Sequence, residues 1–135
     1  MPEITGSVDD RGRPLLRLRL PGKDDELLVI VDSAFTGELL LSETDGLFWG
    51  VLVLNVEADV ELGDGSTAVV KQGLVTIDWL GTPVDATVQV TKYPEPKKSR
   101  VQRDGEPIGL LGTAMLRETF MQINFPQRHV LVGKP

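Results

Sequence analysis

Leucine and arginine alternate through LLRLRL at residues 15–20, so that Leu16, Leu18 and Leu20 share one face and Arg17 and Arg19 take the other, the period of a half-buried strand. Pro21-Gly22 then turns the chain. The next run, LLVIV at 27–31, has no alternation and predicts a strand covered on both faces. It ends at Asp32. Phe35-Thr36-Gly37 has the composition of a tight turn, with Gly37 free to adopt positive φ, and ELLLS returns as a further strand. An acid therefore stands at a strand-to-turn bend inside LLVIVDSAFTGELLL.

The pattern over LNVEADVEL at 54–62 sets Leu54, Val56, Ala58, Val60 and Leu62 on one face of another strand. GDGS at 63–66 carries the Asp-Gly hairpin signal, and AVVKQGLVTIDWL returns antiparallel. Leu80-Gly81-Thr82-Pro83 turns again into VDATVQV, where Val84, Ala86, Val88 and Val90 alternate. Residues 92–107, KYPEPKKSRVQRDGEP, are rich in proline and charge without periodicity and read as an exposed loop. TAMLRETF, entered through PIGLLG, has helical spacing at Ala114, Met115 and Phe120, with Thr113 as N-cap or with no cap at all. It is the only helix this reading predicts. MQINF and HVLV close the chain as strands, giving one mainly β domain over residues 1–135.

Composition narrows the function classes. A formal charge of −6 and a pI near 4.7 argue against nucleic acid or an anionic membrane as partner, since both need clustered cations. The chain has no cysteine, which removes disulfides and thiolate chemistry and suits a cytoplasmic protein. With His129 its single histidine, one chain cannot build a multi-histidine metal site, and no metal or cofactor is expected. No apolar stretch approaches the ~18 residues that predict a membrane span, and the N-terminus lacks a leader-like apolar core.

Several motifs have plainer readings. GDGSTA at 63–68 has the spacing of a dinucleotide loop, but a β-branched run follows it rather than a helix, so the hairpin is favoured. Ser33 or Ser42 with His129 is the formal material of a hydrolytic triad, yet no nucleophile-elbow sequence accompanies them. His129 reads as a strand-edge or interface residue, and Trp49 and Trp79 as core or cleft walls. Asp32 is either a turn-capping acid or a functional one, since burying an unpartnered carboxylate is costly.

The ordered set VIVDSAFTGELLL, the Asp-Gly hairpin and IGLLGTAML resembles the retropepsin-like aspartic proteases, in particular their small single-domain prokaryotic members, over roughly Pro14 to Val132. The resemblance implies a retropepsin-like acid-protease barrel with one short C-terminal helix, working as a homodimer without cofactor. Its activity would be hydrolysis of peptide bonds by a carboxylate pair formed by Asp32 of two subunits. Ser33 would hydrogen-bond across the twofold axis, and the backbone N–H groups of Ala34 and Phe35 would orient the carboxylates. Gly63, Asp64, Gly65 and Ser66 would form the tip of a flap over an extended peptide, and Phe35, Leu47 or Trp79 would line side-chain pockets. The terminal strands ITGSV and RHVLV would complete the dimer interface.

Ala34 stands where the family usually has glycine, and Thr113-Ala114 where Arg-Asp or Arg-Asn is common. These departures give the alternative expectation, a dimer of the same fold that binds peptides or mediates assembly with little or no turnover. A third is a monomeric barrel that binds a ligand, with Asp32 only a turn residue.

Overall fold

The computed structural model describes residues 2–61, 65–91 and 106–135. Among these residues its frame is ten strands. They are β1 (Glu3–Val8), β2 (Pro14–Arg19), β3 (Glu26–Val31), β4 (Leu39–Ser42), β5 (Leu52–Glu61), β6 (Thr67–Trp79), β7 (Thr82–Thr91), β8 (Gly109–Leu111), β9 (Phe120–Asn124) and β10 (His129–Gly133). The hydrogen-bonded order is β5-β6-β7-β4-β8-β3-β2-β1-β10-β9. Arg19 of β2 also pairs with Asp78 of β6, which closes β2, β3, β8, β4, β7 and β6 into a six-stranded barrel. The protein is mainly β, as the alternation predicts.

The alternating leucines fill the barrel. Leu16 and Leu18 are fully buried, joined by Leu27 and Val29, by Leu39 and Leu41, and by Ala86, Val88 and Val90. Arg17 and Arg19 lie outside, exposed. Packing of this apolar face supplies most of the stability such a sheet can have, at about 25 cal/mol for each Å² withdrawn from water. Trp49 and Trp79 belong to the core cluster. The β6–β7 hairpin turns on Leu80 and Gly81, both at positive φ (53° and 84°), as a two-residue type I′ turn requires.

One expectation needs correction. Among the described residues there are two short helices rather than one: α1 (Glu43–Phe48) and α2 (Thr113–Leu116). α1 begins at Ser42, whose side chain accepts a bond from Asp45 N, so a local cap nucleates it. α2 is capped by Gly112 without a side-chain bond and stops at Leu116; Glu118 then takes φ 66° and Phe120 opens β9. Within the chain, β1 and β10 pair with each other from Glu3↔Gly133 to Ser7↔His129, while β2 and β9 occupy their other edges.

β5 forms as predicted, but its Leu52, Val53, Leu54 and Val56 do not enter the core. Leu54 is 37% and Val56 55% exposed, alongside Leu52 and Val69. Among the described residues no helix is long and apolar enough to cross a membrane.

Candidate functional site

β3 and β4 are consecutive in the chain but not neighbours in the sheet, because β8 runs between them, parallel to β3 and antiparallel to β4. The connection from β3 to β4 must therefore bend over the end of β8. That connection is Asp32–Glu38, so the acid sits where three strands converge.

The bend is held from several sides. Asp32 N donates to Leu111 O (2.9 Å), which carries the ladder one residue past β3. Phe35 N donates to Asp32 O (3.1 Å) and closes a four-residue turn. From the far side, Gly112 N donates to Glu38 O, Thr113 N to Phe35 O and Ala114 N to Gly37 O. Thus backbone N–H groups at the start of α2 tie down the bend. Glu38 adds a side-chain tie, its Oε1 accepting from Thr87 N (2.7 Å) and Thr87 Oγ1 (2.8 Å) on β7.

The carboxylate itself is half-buried. Its Oδ1 accepts from Ala34 N at 2.9 Å, and this is the one hydrogen bond the Asp32 side chain makes among the described residues. The expected role of the Ala34 N–H in orienting the acid therefore has its geometry within one chain. Phe35 departs from expectation, because its N–H is spent on the Asp32 carbonyl rather than the carboxylate. The Phe35 ring is buried, and Ser33 and Ala34 are exposed at the tip, with the Ser33 hydroxyl unbonded among the described residues.

Glycine is required here for space rather than for φ. Gly37 does not have the positive φ expected of it; instead a Cβ there would come within 2.6 Å of Phe35 Cζ and 2.8 Å of Gln89 Nε2. Gly112 is more confined, since a Cβ would meet the Gly37 carbonyl oxygen and come within 2.5 Å of that of Phe35. Ala34, in contrast, is not at positive φ, so its methyl group is compatible with the backbone of this turn.

Of the flap residues, Gly63 and Asp64 lie outside the described residues, as does most of the 92–107 loop. Gly65, at φ 85°, and Ser66 are exposed where β5 and β6 join as a hairpin, from Glu61↔Thr67 onward. Of the expected pocket residues, Phe35 and Trp79 are buried, whereas Leu47 is 81% exposed at the end of α1, a helix the sequence reading did not include. His129 is exposed at the β9–β10 hairpin, in a depression shared with Phe125 and Leu131.

Sequence reasoning missed three contributors: Glu38 as a tie to β7, Gly112 as the close contact beneath the bend, and Gln89 beside Gly37. Only Glu38 had a local signal, an acid directly after the Thr36-Gly37 turn. No family model and no curated protein matches the chain.

Proposed function

We propose that the protein is a homodimeric aspartic endopeptidase in which Asp32 of two subunits forms the carboxylate pair. The observation that carries this reading is the placement of Asp32: a part-exposed carboxylate with one local hydrogen bond, on a bend fixed by β8 and α2 and flanked by the exposed Ser33 and Ala34. A turn-capping acid alone would not need that scaffold.

One chain supplies one such acid, and the reaction needs two. In a twofold dimer the bends meet at the axis. Close like charges cannot both ionise, so the pair holds one proton between them. The ionised member takes a proton from water as its oxygen attacks the scissile carbonyl carbon. The protonated member gives its proton to the carbonyl oxygen, yielding a gem-diol. When the C–N bond breaks, the proton taken from water goes to the departing nitrogen and a diol hydroxyl returns its proton as the acid product forms. The exposed apolar strip on β5 supports a surface covered by another chain, for monomers seldom leave such residues contiguous and bare.

The second reading, a peptide-binding dimer without turnover, is favoured by the exposed Ala34 methyl beside Asp32, which would stand in the gap between two facing bends. Cleavage of unstructured peptides from pH 4 to 7 by the wild-type chain and by Asp32→Asn separates the two. The endopeptidase reading predicts cleavage that Asp32→Asn abolishes; cleavage unchanged in that variant rules it out. Peptide binding by both with cleavage by neither supports the second.

A further inference from the structure

Residues 46–56, between Asp45 and Glu57, form the longest run without a charged side chain in the sequence. That run carries six of the eight large hydrophobic side chains exposed among the described residues: Leu47 and Phe48 at the end of α1, then Leu52, Val53, Leu54 and Val56 on β5. Trp49 and Val51, between the two groups, are buried in the core cluster and fix the strip to the barrel. At their fractional exposures the six side chains present roughly 600 Å² of surface, the upper limit of what a monomer ordinarily leaves bare.

β5 ends the hydrogen-bonded strand order, but its register with β6 breaks between Val53 and Glu57. A bulge of this kind bends an edge strand and interrupts the row of backbone groups that an added strand would need. The strip is therefore shaped for side-chain packing against another folded surface rather than for the addition of an extended segment.

We propose that the strip is a self-association surface, on which a second copy of the chain packs its own strip about a twofold axis. The inference is independent of whether the Asp32 bends meet. Two such strips withdraw roughly 1,200 Å² from water, the lower end of the range for a stable interface. Charge favours the same occupant. Two copies that each carry −6 repel, and they approach closely where no acid has to face another; the uncharged run is such a place. A twofold contact sets one end of the strip against the opposite end of its mate. At one end the Lys23 ammonium stands 5.9 Å from the centre of the Trp49 ring, and beyond the other Glu57 and Asp59 are exposed. Each Lys23 thus meets the acids of the other copy, while the same acids repel an anionic membrane.

The test is sedimentation equilibrium of the full chain as wild type, Leu52→Glu/Leu54→Glu, Lys23→Glu and Ser33→Arg, the last placing two cations between facing bends. All four positions are exposed, and circular dichroism checks that each variant is folded. Leu52→Glu/Leu54→Glu weakens association by about tenfold or more. Lys23→Glu removes no apolar contact, which keeps the inference testable should the double variant fail to fold; it weakens association severalfold, and the effect shrinks as salt is raised. With both contacts present, the wild type sediments as a tetramer or longer, and the double variant and Ser33→Arg each leave a dimer. Association lost in the double variant and untouched by Ser33→Arg upholds the inference and removes the dimer of bends. Association at full strength in a folded double variant, or in Lys23→Glu where the double variant does not fold, overturns the inference, and loss in Ser33→Arg then leaves the dimer of bends standing. A wild type that stays monomeric at 100 K-fold dilution and at the highest soluble concentration alike overturns both. Binding of a monomeric wild type to phosphatidylcholine vesicles that the double variant loses assigns the strip to lipid and overturns the inference as well.

Discussion

Gly112 lies so close beneath Phe35 that a Cβ on the glycine would come within 2.5 Å of the phenylalanine's carbonyl oxygen. The same carbonyl accepts the N–H of Thr113 at 2.9 Å. The start of α2 and the Asp32 bend are therefore packed backbone against backbone, and the position of the acid depends on a residue eighty positions later in the chain.

Gly112→Ala forces that contact apart, and neither carbonyl can yield without breaking a hydrogen bond. It destabilises the fold by about 2–3 kcal/mol, in the range of overpacked cores. Gly37→Ala meets only the ends of the Phe35 and Gln89 side chains, which can move, and costs about 1 kcal/mol. Urea unfolding of the two variants measures the difference, and equal losses would show that the backbone contact is not the constraint.

Ala34→Gly tests the departure at the tip of the bend. Ala34 does not occupy positive φ, so glycine there gains nothing in the folded chain and enlarges the unfolded ensemble. Stability falls by about 0.4–1 kcal/mol. Peptide cleavage rises severalfold, because removal of the methyl lets the facing bends approach. Urea unfolding and initial rates on one peptide check the two signs separately.

Glu38→Ala frees Thr87 N and Thr87 Oγ1 together. The two bonds are surface ones, and the loss is about 1 kcal/mol. Thr87→Val removes the hydroxyl partner while keeping the N–H. In a double-mutant cycle the pair couples by about 0.5–1 kcal/mol, and additive losses would show that Glu38 acts elsewhere.

A pH-dependent contribution resides at Asp9, away from the candidate site. Its carboxylate accepts from Arg13 N (2.9 Å) and Arg11 N (3.0 Å), and pairs with Arg13 Nε (2.8 Å). The Arg13 backbone N–H is the leading cause that holds the Asp9 carboxyl below its usual value near 3.8; withdrawal from water opposes it, and the Arg13 guanidinium adds to the lowering. Because the folded value is depressed, the contribution is present above the ordinary carboxylate range and lost as pH falls through the folded value. The wild type is thus more stable than Asp9→Asn at pH 6, and thermal melts of the two converge as pH falls through the folded value of Asp9. A gap that stays constant with pH would contradict this.

How much of the fold could be read from the chain follows from where each element is covered. The alternation at 15–20 and 84–90 was legible because barrel strands are buried on one face, and the unbroken run at 27–31 because β3 is covered on both. α1 was not, since its six residues carry Leu47 and Phe48 on an exposed surface and leave no apolar stripe; its one signal was Ser42 ahead of Asp45. β5 had a strand's pattern, yet its Leu52, Leu54 and Val56 face no core. The bend at Asp32 was visible as an acid interrupting apolar residues, but the fit of Gly37 against Gln89 and of Gly112 beneath Phe35 depends on contacts between distant segments, which no local pattern encodes.

The chain has no cysteine of its own, so a single introduced thiol reports directly on whether two Asp32 bends face each other. Ser33→Cys is oxidised under mild conditions beside Thr82→Cys, an exposed control at the β6–β7 turn. Disulfides need Cα atoms roughly 4.4–6.8 Å apart. If the bends meet at a twofold axis, Ser33→Cys forms a covalent dimer rapidly and the control does not. Oxidation of Ser33→Cys no faster than that of Thr82→Cys contradicts the shared carboxylate pair.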